Sequence, residues 1–351
     1  MLTLDRVLLA LLLAVPAALI ADAVHAGPIA VFVLSGLSLV PLAKFLSDAT
    51  EELAMRAGPA VGGLLNATFG NATELLVGIF ALSSGLVAVV QATIVGSILG
   101  NLLFVLGFSL WWGGIGRVRQ RFNVTVARAN ASILLLAATA LVIPAVFFLS
   151  AGGSAVSTEE LSLSVAVLML FGYGANLAFS LYSHRHLFVL DGDTALEPVR
   201  SRSLNIAILL AATIAIAVMS ELFVGTLEPI MQGFGWTPLF VGAIVVAILG
   251  NAAEHVSAVV AARRDRMDLA LQIAMGSATQ VLMLVLPALV FASTFFEKRM
   301  TLVFTPFELI ALVFAIFVTN SVIEDGETNW LEGVQLLIVY LIIAVGFFLL
   351  P

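Results

Sequence analysis

Apolar runs of about twenty residues follow one another along almost the whole chain. They leave little choice of fold, because a helix of that length crosses the ~30 Å hydrocarbon core of a bilayer. A backbone in lipid must satisfy its own hydrogen bonds, which such runs do as helices. Eleven spans are expected, at about residues 4–24, 28–48, 60–84, 86–111, 127–150, 160–183, 202–223, 237–261, 267–293, 303–323 and 330–350. Turn signals separate most of them, among them Gly27-Pro28, Gly58-Pro59, Ser83-Ser84-Gly85 and Gly113-Gly114. Only 11% of the 351 residues are charged, against about 25% in soluble domains. The fold class is therefore an all-α polytopic membrane protein. Residues 1–26 are read as a leading transmembrane helix; a cleaved signal peptide ending at Val24-His25-Ala26 is the alternative.

Lysine and arginine collect in cytoplasmic loops and so orient the spans. One face receives Arg6, Lys44, Arg56, Arg117, Arg119, Arg121, Arg128, Arg185, Arg200, Arg202, Arg263, Arg264 and Arg266. The other receives only Lys298 and Arg299 of the 15 Lys and Arg. The expected orientation has the N-terminus cytoplasmic and the C-terminus external, in an inner or plasma membrane. A formal charge of -7 suits a cationic partner and gives no support to nucleic-acid binding.

Two carboxylates sit inside this apolar background. Gly70-Asn71-Ala72-Thr73-Glu74 has a near copy, Gly250-Asn251-Ala252-Ala253-Glu254, 180 positions further on. Gly96-Ser97 and Gly276-Ser277 repeat the same interval. The chain is a duplicated unit: residues 27–183 form a first five-helix repeat, 184–201 a cytoplasmic linker and 202–351 a second repeat. Five is odd, so the second repeat enters from the opposite side. An inverted pair of this kind can rock around a midplane site.

A charge at the bilayer centre costs on the order of 2.5–3.5 kcal/mol on insertion scales and marks an ion pathway or a buried partner. On a helix, Gly70, Asn71 and Glu74 lie on one face, as do Gly250, Asn251 and Glu254. Glycine there admits a neighbouring backbone or lets the helix open and free its carbonyls. Two carboxylates, two amide oxygens and such carbonyls make a hard oxygen cage that suits Ca²⁺, which takes six to eight oxygens at about 2.3–2.6 Å. The bland reading is a pair of protonated packing residues, which leaves the duplicated pentapeptide unexplained.

Other polar residues carry two readings each. Ser97 and Ser277 follow small residues routine at helix contacts. Gln91, Gln272 and Gln280 suit interhelical hydrogen bonds as well as a site. His255 points about 100° round the helix from Glu254 and is a buried histidine or part of a proton path. Glu51, Glu52, Glu221 and Glu228 lie near span ends, with Glu51 and Glu221 candidates for a vestibule. Glu308 has no evident partner. In the linker, Asp191, Asp193 and Glu197 are solvated or form a regulatory cation site, though without an EF-hand pattern. The absence of cysteine removes thiolate metal sites. No Gly-Lys-Ser/Thr, His-Glu-x-x-His or Gly-x-Ser-x-Gly string occurs, so neither ATP nor an enzyme activity is expected. The sequons at Asn66, Asn71 and Asn123 fall in spans or an arginine-rich loop and are not glycosylation sites.

Residues 62–74, Gly250-Asn251-Ala252-Ala253-Glu254-His255 and Gly276-Ser277-Ala278-Thr279-Gln280 resemble the calcium/proton exchanger (CAX) branch of the cation/calcium exchanger superfamily. The resemblance covers essentially the whole chain. It implies an antiporter without cofactor, in which Glu74 and Glu254 bind Ca²⁺ and protons alternately, helped by Asn71, Asn251 and nearby carbonyls. It further implies that Gln91, Ser97, Gln272, Ser277 and Gln280 complete the site, and that spans two and seven are gating helices. A sodium-driven exchanger of the same superfamily is the alternative, which Ala253, lacking a hydroxyl, disfavours; a cation channel needs no inverted repeat.

Overall fold

The computed structural model describes residues 4–150, 155–188 and 199–350, with only the backbone of Leu4, Asp5, Pro59, Ala60, Ala67, Ala155 and Phe188. Thirteen helical segments position the site. They are α1 Arg6–Ala23, α2 Pro28–Ala57, α3 Pro59–Phe69, α4 Ala72–Ser83, α5 Val87–Gly114, α6 Val124–Ser150, α7 Val156–Ser183, α8 Arg202–Phe234, α9 Pro238–Gly250, α10 Ala252–Arg263, α11 Met267–Ser293, α12 Pro306–Ile323 and α13 Trp330–Leu349. Nine of these are long and apolar enough to cross a membrane, or ten crossings if the bent pair α9–α10 counts as one. Eleven continuous spans were expected. The difference lies at residues 60–84 and 237–261, where each run is broken in two. Neither α3 nor α4 reaches a bilayer's thickness alone.

The α5 and α11 helices form the centre: 83% and 72% of their apolar windows are buried, against 17–44% for the other seven long helices. Those outer helices keep apolar side chains on their exposed faces, as a lipid-facing surface requires. Against the central pair lie the broken helices, α9 on α5 and α10 on both α5 and α11. The α5–α9 crossing is unusually close, since a Cβ on Gly96 would run into the backbone of Ala243, and one on Gly242 into Val89 and Ala92. Small residues permit this approach. The long helices α2 and α8 pack along each other on the outside of the broken helices, with Phe32 stacked on Phe223 at 5.0 Å.

The polar ends sort the cations as the sequence suggests. At one end Arg119 and Arg121 both bond Glu327 (2.7 and 3.0 Å), and Arg128 donates to the Glu324 carbonyl. Arg117 pairs with Asp265, and the Asn123 N–H donates to Asp268. A two-stranded antiparallel ribbon, β1 Gln120–Arg121 and β2 Glu327–Thr328, ties two of these loops together. At the other end Lys298 donates to the Gly85 carbonyl and Arg299 pairs with Glu159. The end of the linker is anchored where the Arg200 N–H and Asn205 donate to Glu52. Asp191, Asp193 and Glu197 lie outside the described residues.

Candidate ion-binding site

Each half of the chain breaks a helix at the same asparagine. Asn71 (φ −110°, ψ 20°) separates α3 from α4, and Asn251 (φ −99°, ψ 6°) separates α9 from α10 with a bend of 61°. Asparagine suits such a break because its amide competes with the backbone ladder. The Asn251 Nδ2 donates to the Ala247 carbonyl at 3.0 Å, which also accepts from the Asn251 backbone N–H at 3.3 Å. Three residues on, the first turns of α4 and α10 carry Glu74 and Glu254.

The two breaks face each other. A Cβ added to Gly250 would sit 3.8 Å from Glu74 Cγ, so the glutamate of one half lies against the glycine of the other. Glu74 is 7% exposed, and Glu254 is close enough for the two charges to interact. Neither Glu74 Oε2 nor Glu254 Oε2 has a hydrogen-bond partner among the described residues. Buried carboxylate oxygens left in this way ask for a cation or a proton.

Neutral groups from α5 and α11 surround them. Asn71 Nδ2 donates to Gln280 Oε1 at 2.6 Å. Asn251 Nδ2 donates to Ser97 Oγ at 3.0 Å, and Ser277 Oγ reaches Asn251 Oδ1 at 3.5 Å. Asn101 completes the network, donating to Ser277 Oγ at 2.8 Å and, more weakly, to Asn251 Oδ1 at 3.4 Å. Both central helices open into a π-helical turn beside these residues, at Gly100–Val105 and Val281–Val285. Such turns re-aim side chains and recur at functional sites.

A cavity of about 780 Å³ reaches the site from the arginine-rich end. Glu254, Ser277, Gln280 and Gln272 line it, together with Lys44, Asp48, Glu51 and Arg185. On the far side, Glu74 borders a void of about 10 Å³, walled by Val77, Leu227, Val246 and Leu289. That is room for one water at most.

Most of the candidate residues thus converge, but two do not. Gln91 lies away from the site, its amide donating to the carbonyls of Thr301 (3.1 Å) and Val303 (3.0 Å) in the loop before α12. A glutamine near a span end serves the loop it can reach. His255 turns behind the site, buried against Phe104 (6.1 Å between ring centroids) and Gly100. Of the proposed vestibule residues, Glu51 lines the cavity whereas Glu221 is exposed on α8 outside it. Glu308 has a partner after all, closing a capping box with Thr305 at the start of α12. Asn101 and Asp48 were not singled out by the sequence, and Asn66, which lines the cavity, was noted only as a sequon. For Asn101 the signal was present, an amide at the end of Gly96-Ser97-Ile98-Leu99-Gly100-Asn101 in the most buried helix. Among the described residues no three His, Asp or Glu side chains gather to hold a metal, so an ion here would depend on two carboxylates and neutral oxygens.

Known proteins are similar to this chain. The Ca(2+)/H(+) antiporter ChaA of Bacillus subtilis (strain 168) is 43% identical over 341 residues, covering 96% of this chain and 97% of the relative. The Ca(2+)/H(+) antiporter of Synechocystis sp. is 42% identical over 367 residues and 99% of both chains. The structure of native YfkE superposes with a TM-score of 0.85 at 41% identity, covering 98% of this chain and 100% of that one. The model of the sodium/calcium exchanger proteins matches residues 27–182 and 204–349, the stretches that hold Glu74 and Glu254 with one broken helix each, and the chain belongs to that family.

Proposed function

We propose that the protein is a secondary antiporter that moves Ca²⁺ one way and protons the other by alternating access. Glu74 and Glu254 hold Ca²⁺ when both are ionised, with Asn71, Asn251 and carbonyls freed near Gly70 and Gly250 completing an oxygen shell. Protons arriving at the same carboxylates remove the charge that holds the ion, so the two cargoes compete for one site. The observation that carries this reading is the meeting of two equivalent glutamates, with Glu254 lining a cavity that opens at the arginine-rich end and Glu74 of the other half beside it. Relatives about 40% identical that bear the name Ca(2+)/H(+) antiporter support it.

The same reading takes α3–α4 and α9–α10 as one broken crossing each. One leading helix is then followed by two inverted five-helix repeats, the arginine-rich end facing the cytoplasm in a cell membrane and the C-terminus outside. The paired stretches matched by the family model support the duplication. The test is ⁴⁵Ca²⁺ uptake into sealed proteoliposomes with an acidic interior, with a sodium-loaded interior, or with neither. Uptake with the acidic interior alone, lost in both Glu74→Gln and Glu254→Gln while each variant remains folded, is the expected result. Uptake driven by sodium alone, or near-normal flux in either variant, overturns it.

A further inference from the structure

Matched segments of the two halves can be compared turn by turn, because the interval of 180 residues aligns them. In the central helices the winding agrees: α11 is π-helical over Val281–Val285, and the matching residues 101–105 lie in the π turn Gly100–Val105 of α5. The broken helices disagree. Val241–Val246 of α9 form a π turn, whereas residues 61–66, their counterparts in α3, are wound as ordinary α-helix. The half with the π turn is the one packed tightly on its central helix, and the half without it lines the open cavity.

Winding decides which way these segments turn their small residues. In α3 a Cβ on Gly62 would stand 2.7 Å from the Ala54 carbonyl of α2, and one on Gly63 would run into Leu181 at the end of α7. In α9 the matching positions face the central helix instead: a Cβ on Gly242 would meet the Val89 carbonyl of α5, and the Ala243 backbone abuts Gly96. One residue of α-helix subtends about 100°. A π turn takes in one residue more than an α turn, so forming it swings the preceding chain by about 100° against the chain that follows. Both segments run on into the same kind of break, at Asn71 and at Asn251.

We propose that residues 61–66 rewind from α to π as the arginine-rich end shuts, bringing Gly62 and Gly63 round onto α11, and that Val241–Val246 return to α as the opposite end opens. The moving part of each gate is then the winding of a half-helix, which a rigid tilt does not reproduce. This rests on the alternating-access reading. Rewinding keeps the backbone bonded, because each N–H passes from the carbonyl four residues back to the one five back along the same helix. Gly62-Gly63 brings no side chains to resist the turn, and Val61 and Leu64 are exposed beside it. The matching π turns of α5 and α11 are present in both halves, so they belong to the fold, whereas this one goes with the closed crossing. Packed contacts with two discrete arrangements act as a switch of this kind.

The chain has no cysteine, so a reducible bridge can be placed at will. Val61 and Leu64 are exposed, do not line the cavity and lie three apart, which makes them neighbours on an α-helix and separates them in a π turn. In Val61→Cys/Leu64→Cys a short bis-methanethiosulfonate reagent joins the two sulfurs and holds the α winding. Proton-driven ⁴⁵Ca²⁺ uptake into proteoliposomes should then fall about tenfold or more and return when dithiothreitol cuts the bridge. The same bridge in Ile310→Cys/Val313→Cys, on an exposed face of α12, should change uptake by less than about twofold. Uptake that survives the bridge at 61 and 64, or an equal loss from both bridges, overturns the proposal. In wild type, hydrogen exchange of the amides at 61–66 should quicken when Ca²⁺ is added, while that at 310–318 stays the same. Unchanged exchange at 61–66 overturns the proposal on its own, whether or not the paired cysteines are tolerated. Absence of proton-driven uptake in untreated wild type is a different result and overturns the antiport reading instead.

Discussion

The residue whose removal best separates positioning from packing is Asn101. It is fully buried on α5 and touches neither glutamate by a recorded hydrogen bond, yet its amide holds Ser277 Oγ at 2.8 Å and Asn251 Oδ1 at 3.4 Å. Ser277 in turn lines the cavity together with Glu254. Asn101→Ala deletes one well-formed bond and one long one, and leaves two buried acceptors short of a donor. A neutral bond contributes about 1 kcal/mol net and its orphaned partner costs more than that, so a loss of about 1–2 kcal/mol at the site is expected. That is a factor of about 5–30 in an equilibrium constant, within the span of second-layer effects on metal affinity. The assay is the Ca²⁺ dependence of proton-driven uptake, with a melting curve of the detergent-solubilised protein. KM should rise by the stated factor with the maximal rate changed far less. A variant that melts earlier but keeps its KM within twofold would falsify the positioning role and make Asn101 a packing residue.

Two further outcomes follow from contacts away from the carboxylates. Gly96→Ala puts a methyl into the Ala243 backbone, an overpacking that costs typically about 1–3 kcal/mol; Gly276→Ala meets nothing within 4 Å and should melt as wild type does, so equal losses for both would refute the close crossing. At the ribbon, hydrogen bonding from Arg119, with the charges of Arg119 and Arg121, holds the Glu327 carboxyl below the usual carboxylate range. A depressed value means the stabilisation is present above the ordinary carboxyl pKa of about 4.3 and is lost as pH falls through the lower folded value. Glu327→Gln should therefore melt below wild type at pH 7, with the gap closing as pH falls below the ordinary carboxylate range; a gap that persists once the carboxyl is protonated contradicts this.

What the sequence revealed about this molecule depended on how costly each feature is. A glutamate inside an apolar run is expensive enough that Glu74 and Glu254 declare themselves, and the constant interval between them identifies the two halves. The same applies to arginine, whose placement sorted the polar ends. Amides and hydroxyls are cheaper and hence ambiguous. Gln91 and Gln280 look alike in sequence, but one reaches a loop and the other reaches Asn71. Asn101 went unnoticed because its counterpart by the repeat interval is Val281, so the search for echoes passed over it. The helix breaks at Asn71 and Asn251 were legible only as a possibility carried by the neighbouring glycines. Hydropathy does not register a 61° bend, and the number of continuous spans was overcounted for that reason.

The tight crossing between α5 and α9 has an unfilled twin. By the repeat interval Gly62 and Gly63 answer to Gly242 and Ala243, while Leu269, Gln272, Ile273 and Gly276 answer to Val89, Ala92, Thr93 and Gly96. The first set is jammed together; the second lines the open cavity, with nothing near Gly276. One molecule thus displays both the latched and the unlatched form of a single joint. The joints are not identical, because the place of the Ala92 methyl is taken by the Gln272 side chain. On the alternating-access reading, shutting the arginine-rich end has to fold away an amide that the opposite crossing does not carry.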